Sequence, residues 1–532
     1  MQISHPLWST LRAYARVIAG CALLHACGSG ETSQDDATDE DTTGAAGERT
    51  VPLSVIADGV GGFVIDGAIE EASGASVSAA GDVNGDGLAD LIVGAPSRTG
   101  RTGRTFVVFG KAETAGVLLA DISAGKGGFA LVGEKELDYS GGSVSGAGDV
   151  NGDGLADLIV GARGADINGE YSGRTYVVFG KADTSTIQLS DIAAGTGGFV
   201  LDGERANDGS GGSVSGAGDV NGDGMADLVV AAPGGVITTE TEGRTYVVFG
   251  KVDTAAVLLS DVAAGAGGFS VDYEAWGDAV RTSVRGVGDV NADGLADLII
   301  AAPKAEPNGR RVGRSYVVFG KADTTAVLLS DIAAGTGGFS LDGEADGDAA
   351  GTSVGAAGDV NGDGLPDLII GTSAERTYVV LGKADTAAVL LSDVAAGTGG
   401  FAIDGKTKDY PGPRENAGAS VSGIGDVNAD GLADLIVGAS HAQPNGPYSG
   451  RAYVVYGKAD PTTVRLADVA NWMGGYALDG EAEDDYCGRA VSGAGDVNGD
   501  GVHDLIIGVS HADPNGSNSG RSYVVFGGSI AE

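Results

Sequence analysis

Seven short acidic stretches recur along the chain, starting at Asp82, Asp149, Asp219, Asp289, Asp359, Asp426 and Asp496, so successive copies lie 67, 70, 70, 70, 67 and 70 residues apart. A period of this length constrains the fold more than any other feature. Each unit must be one supersecondary element that buries its apolar surface only against its neighbours.

Residues 197–266 show what surrounds each acidic stretch. "SVSGAGD" alternates small and apolar residues, as an innermost strand packed close to its neighbours does, and "ADLVVAAP" is a continuous apolar run suited to a strand covered on both faces. "RTYVVFGK" has the aromatic and β-branched content of a third strand, and "GGFVLDGE" alternates like a half-exposed outer strand. Turn residues bound each run, and no helical stretch of useful length intervenes. The 96 glycines and 6% aromatic residues fit many short strands joined by tight turns. The expected fold is all-β: a seven-bladed β-propeller of four-stranded antiparallel blades.

The two ends predict how the ring closes. "GGFVIDG" (61–67) is an outer strand with no blade before it, whereas the chain finishes just after the third-strand sequence "RSYVVFG". Pairing of the two completes the seventh blade and removes a free sheet edge. A linear solenoid is the alternative, and it leaves both terminal edges open.

Within the acidic stretch, oxygen-bearing side chains fall at positions one, three, five and nine, with glycine at six. In the second copy these are Asp149, Asn151, Asp153 and Asp157, and Leu155 at position seven offers its carbonyl. The first copy supplies Asp82, Asn84, Asp86, Leu88 and Asp90, and the third Asp219, Asn221, Asp223, Met225 and Asp227. The fourth has Asp289, Asn291, Asp293, Leu295 and Asp297, and the fifth Asp359, Asn361, Asp363, Leu365 and Asp367. The sixth has Asp426, Asn428, Asp430, Leu432 and Asp434, and the seventh Asp496, Asn498, Asp500, Val502 and Asp504. Short side chains at alternate positions converge only where the backbone wraps sharply, and glycine at position six permits the positive φ this needs.

Hard, mostly charged oxygen donors suit Ca²⁺ better than Mg²⁺, which retains its waters, or zinc, which takes His or Cys. Up to seven Ca²⁺ sites are expected. Carboxylates about 4 Å apart repel by roughly 1 to 4 kcal/mol per pair at dielectric constants between water and a protein surface. Seven uncompensated loops would therefore strain a fold worth about 5 to 15 kcal/mol in total. A loop that is merely a good turn has no use for four such side chains at fixed spacing. An EF-hand needs glutamate at position twelve, where this chain has Val160 inside a strand. Ala292, Ala429, Pro366 and His503 substitute only at positions four and eight, which carry no ligand.

The order "SVSGAGDVNGDGLADLIVGA" followed by "YVVFG" resembles the FG-GAP repeat of integrin α-subunit propellers and their bacterial relatives, over nearly all of residues 51–532. The resemblance implies that the calcium loops join strands one and two on a lower face. It also implies that the upper face, built from the two-to-three and four-to-one loops, recognises partners. The Phe that the family places before "SV" is absent (Gly141, Gly142), and "GAP" is intact only at Gly94, Ala95 and Pro96, with "AAP" beginning at Ala231 and Ala301. These losses leave integrin-type ligand specificity unsupported.

The units differ most in the upper-face loops, at 134–140, 204–210, 273–280, 344–350, 406–416 and 481–487. Tyr139, Trp276, Tyr410 and Tyr486 lie there among acids as candidate anchors for a protein or glycan partner, although loop drift is a competing explanation. His441 and His511 occupy matching places on neighbouring blades, either as a pair or as solvated loop histidines. Cys487 has no obvious histidine partner, and no set of acid, base and nucleophile recurs, so no catalytic activity is expected.

A formal charge of −41 makes nucleic acid an unsuitable partner. Arg12 and Arg16 ahead of an apolar stretch (17–26) too short to span a bilayer mark residues 1–27 as an export signal. "LLHAC" resembles a bacterial lipobox with Cys27 as the lipidated residue. "IAGC", ending at Cys21, competes, and a plain secretory signal is the alternative. Residues 28–50 read as a flexible acidic tether and 51–532 as the propeller. The sequence points to a monomeric calcium-binding recognition or adhesion module, lipid-anchored in the bacterial cell envelope or otherwise secreted. A propeller scaffold of a secreted hydrolase and a structural envelope protein without a specific ligand are the alternatives.

Overall fold

The computed structural model describes residues 48–97, 102–234, 243–274, 278, 282–406 and 414–530. The export signal, Cys27 and the tether up to residue 47 lie outside the described residues, and the propeller unit starts at Glu48.

Seven sheets are present, each built on four antiparallel strands. In the second blade these are Ser143–Gly148, Asp157–Ala162, Arg174–Val178 and Gly198–Asp202, matching the expected stretches. The innermost strands of successive blades touch all the way round, Ala490–Gly495 of the seventh returning to Ser76–Gly81 of the first. Small residues permit this approach: a Cβ on Gly216 would sit 2.9 Å from the Gly146 carbonyl oxygen of the preceding blade. Gly62–Asp66 pairs antiparallel with Arg521–Val525, Gly62 opposite Val525, and completes blade seven. The ring is closed, which excludes the solenoid.

Each sheet also has a fifth strand, of two residues, so the blades are five-stranded rather than four-stranded. Ile187–Gln188 runs parallel to Leu131 and Val132 of blade one, Val117–Leu118 covers blade seven, and Val51–Pro52 covers blade six. A five-residue helix such as Leu189–Ala193 follows and tucks Leu189 and Ile192 inward. This cover explains why Phe199, Val200 and Leu201 are at most 1% exposed, where alternation suggested a half-exposed strand.

The apolar core lies between blades. Phe129 and Leu131 of blade one pack with Val144, Val160 and Tyr176 of blade two. Lys181, the lysine of "FGK", places its Nζ 4.7 Å from the Phe129 ring centroid across the same junction.

An ion network crosses most of the junctions nearer the other end of the strands. Arg174 forks onto Asp202 of its own blade through Nε and Nη2, at 2.6 and 3.1 Å. Its Nη1 donates to Glu134 of blade one (2.9 Å), which also accepts from the Tyr176 hydroxyl (2.6 Å). Arg314, Arg376 and Arg521 repeat the arrangement, and Arg244 repeats it with one contact to Asp272. At the junction of blades five and six, Lys406 of blade five stands where Glu134, Glu204, Glu274, Glu344 and Glu481 stand at five others; Glu48 pairs with both Lys406 and Arg451, and Glu415 accepts from the Tyr453 hydroxyl. Residues 48–50, expected in the tether, are thus docked: Arg49 N–H also donates to the Ala470 carbonyl, and Thr50 to Asp479. Among the described residues no helix is long and apolar enough to cross a membrane.

Deleting residues 48–66 strips blade seven of its outer strand and blade six of its fifth strand and Glu48. The truncated chain is expected to lose its cooperative melting transition and to associate through the bared Arg521–Val525 edge, as read by calorimetry and size-exclusion chromatography. A monomer that melts like the full chain would contradict this closure.

Candidate functional site

The acidic loops join the first and second strands of every blade, so all seven lie on one face of the ring. In blade two the inner strand ends in a bulge between Gly146 and Gly148, which bends the chain into the loop. Position six has φ 91° at Gly154, the left-handed turn expected. Position four is left-handed too: Gly152 has φ 77°, and Ala292 and Ala429 adopt φ 61° despite their Cβ atoms.

The side chains at positions one, three and five curl over the loop's own backbone. Asp149 Oδ1 accepts from the N–H groups of Gly152 (2.7 Å) and Asp153 (3.1 Å), and Oδ2 from Gly154 (2.9 Å). Asn151 Oδ1 accepts from the Asp153 N–H and Asp153 Oδ1 from the Leu155 N–H, giving nested Asx turns. The first, third, fifth and seventh loops repeat these bonds, as at Asp82, Asp219, Asp359 and Asp496. The fourth and sixth, with alanine at position four, keep the bonds from positions five and six to Asp289 and Asp426.

Position nine has a further task. Asp157 is fully buried, and its oxygens accept from the N–H groups of Val150 (2.9 Å) and Gly180 (2.8 Å), tying the loop to the turn after the third strand. Burial pushes its carboxyl up to about 7 against the pull of those two donors, and Asp153 and Asp149 push the same way. Asp90, Asp227, Asp297, Asp367, Asp434 and Asp504 are held and shifted alike.

Among the described residues no three Asp, Glu, His or Cys side chains converge into a ready cation cage, and no lysine or arginine is paired with a loop carboxylate. The donors are oxygens without a counter-charge. That chemistry fits a hard divalent cation.

Position eight links the loops around the ring. The Ala226 N–H donates to the Asp149 carbonyl (2.9 Å), and Ala89, Ala156, Ala296, Ala433 and His503 reach the position-one carbonyl of the preceding loop in the same way. The link to Asp289 is absent because Pro366 has no N–H to give.

The opposite face carries the variable loops. Trp276 and Tyr410 lie outside the described residues; Tyr139 and Tyr486 lie within them. Tyr486 stacks on Tyr448 at 5.4 Å with 16° between the rings, and stands 6.0 Å from the His441 ring and 4.9 Å from the His511 ring. The two matching histidines therefore meet on one tyrosine. Glu481, Asp484, Asp485, Tyr486, His511 and Asp513 line a cavity of about 640 Å³ between blades six and seven. Tyr139 has the Arg163 guanidinium 5.5 Å from its ring centroid. Cys487 is fully buried, which raises its thiol pKa and suits a packing role rather than a nucleophile.

A closed seven-bladed propeller, with one face of repeated acidic loops and one of variable loops, is a repeat-built protein of a recognisable class. The FG-GAP repeat model matches residues 73–108, 140–178, 210–248, 282–318, 350–391, 417–455 and 488–525, and the chain belongs to this family. It is similar to Integrin alpha pat-2 of Caenorhabditis briggsae, 30% identical over 267 residues, which are 47% of this chain and 19% of that protein. Integrin alpha-V of Gallus gallus is 27% identical over 229 residues, 42% of this chain and 19% of the relative. Phosphatidylinositol-glycan-specific phospholipase D of Rattus norvegicus is 32% identical over 170 residues, 30% and 18% respectively. The matched stretches thus span 19% or less of each relative's length.

Asp485 gives the upper face a pH dependence. Burial pushes its carboxyl up to about 6, the Ala482 N–H opposes, and Glu481 and Asp513 add to the rise. The unfolded value is about 3.9, so the folded state binds the extra proton and this group's contribution to stability is lost as pH rises through about 6. Asp485→Asn, which keeps the acceptor for Ala482, is expected to raise the melting temperature more at pH 8 than at pH 5. An equal change at both pH values would contradict the assignment.

Proposed function

We propose that the protein is a non-catalytic, calcium-stabilised recognition module that holds a protein or glycan partner on the face opposite its acidic loops. The observation that carries this reading is the contrast between the faces: seven near-identical loops on one, and a tyrosine–histidine stack beside an acidic cleft on the other. Aromatic rings at a cleft concentrate binding energy. The integrin alpha relatives favour the adhesive reading.

Ca²⁺ would be held by the side chains at positions one, three, five and nine with the position-seven carbonyl. It would supply the positive charge that the loops lack. Export, with lipid attachment at Cys27, would place the module at the cell envelope, and Tyr139, Trp276 and Tyr410 are further candidate anchors. The phospholipase D relative favours the rival reading of a hydrolase scaffold, over 30% of this chain.

Chelation is expected to lower the melting temperature by roughly 10 °C or more, since ligands that bind only the folded state stabilise by mass action. Asp153→Ala should remove about one equivalent of calcium by titration calorimetry, from the second loop, while the other loops keep theirs. Capture from envelope extracts should yield one partner that is lost in the folded Tyr486→Ala variant. A melting curve indifferent to chelator removes the calcium part of the reading, and hydrolytic activity that persists in Tyr486→Ala favours the scaffold.

A further inference from the structure

Arg285 is the one charged residue on the seven innermost strands. The equivalent places hold Ser78, Ser145, Ser215, Gly355, Ser422 and Ser492, so the inner ring forms without it. Val214 and Val284 turn their N–H groups to Ser143 and Ser213 of the preceding blades, at 3.1 and 3.3 Å, which places their carbonyls on the unpaired inner edge as well. Arg285 Nη1 donates to both carbonyls at 3.2 Å. The guanidinium therefore straddles two blades at the inner rim of the ring.

Among the described residues no carboxylate compensates it. Among the described residues Arg285 makes no ion pair, and its Nε and Nη2 meet no protein acceptor. Burial lowers its pKa without any opposing acid, in a chain of net charge −41 whose carboxylates all lie elsewhere than on these strands. A guanidinium stays charged in proteins, and this one is half-buried without a counter-ion.

We propose that Arg285 is an oxyanion-binding site at the axis of the propeller, its Nη1 anchored on two carbonyls and its Nε–Nη2 edge presented to a small free anion. That edge is the fork that pairs with two oxygens of a carboxylate or of a sulfate- or phosphate-like group. The site is independent of the acidic loops and of the cleft between blades six and seven.

Thermal melting with sulfate, at constant calcium and ionic strength, tests it. The wild-type melting temperature should rise by roughly 2 °C or more as sulfate saturates the site. Arg285→Ser, the residue most other blades carry, should lose that increment and keep only the general salting effect of sulfate. Acetate in place of sulfate identifies a carboxylate as ligand if it gives the same increment, and a tetrahedral anion if it does not. Crystals grown with selenate should show an anomalous peak within hydrogen-bond reach of Arg285, a readout that stands even if the serine variant fails to fold. Equal sulfate responses in the two proteins, or no selenate peak beside Arg285, would overturn the proposal.

Discussion

A ring of seven sheets closes only if each blade meets the next in nearly the same way, and the arginine that opens each third strand shows how strictly this is met. In blades two to five and in blade seven it holds an aspartate of its own blade and a glutamate of the preceding one, so those junctions are crossed by charge-assisted hydrogen bonds as well as by packing. Blade six shows what happens when the repeat loses a member. Lys406 replaces the glutamate, Arg451 is only 3% exposed, and the chain brings Glu48 from outside the repeat to complete the set. Removing one partner of a buried pair costs about 3 to 5 kcal/mol, enough to account for docking of residues that composition assigns to a free tether.

Blade one resolves the same problem by abandoning the network. Phe106 replaces the tyrosine and Val132 the aspartate, while Arg104 keeps a side chain 44% exposed and a single contact with Glu71 at 3.5 Å. An exposed pair of that kind is worth about 1 kcal/mol at most. The glutamate that accepts from the tyrosine hydroxyl elsewhere is also missing here, Ala68 standing in its place, so Phe106 leaves no buried polar group without its partner.

Period and alternation made the blades, the closing strand and the acidic loops legible, because each repeats a pattern that local chemistry determines. The two-residue fifth strands were hidden because a pair such as Ile187–Gln188 is too short to show a period. The outer strand looked half-exposed because its cover comes from the next unit. Position eight looked idle because its contribution is a backbone N–H, and only Pro366 betrays it by lacking one. Position nine read as a donor alone, and its burial and its bonds to Val150 and Gly180 make it also a brace for the turn after the third strand. Tyr448 went unnoticed because its partner Tyr486 is distant in sequence.

The two faces differ for a physical reason. On the acidic face the loops are bonded to one another through position eight, except at Pro366, and to their own blades through position nine, so a change in one loop is felt by its neighbour. On the opposite face the loop from 481 to 487 is held at its ends and, between them, by backbone bonds from Asp484 to Pro447 and from Tyr486 to Tyr448, which depend on no particular side chain. Glu481 is held by Arg521 and Tyr523, and the fully buried Cys487 bridges to Gly450. Residues 482–484 between them are exposed and carry no part of the ring's closure. Sequence there is free to vary without cost to the fold, which is the condition a recognition surface requires.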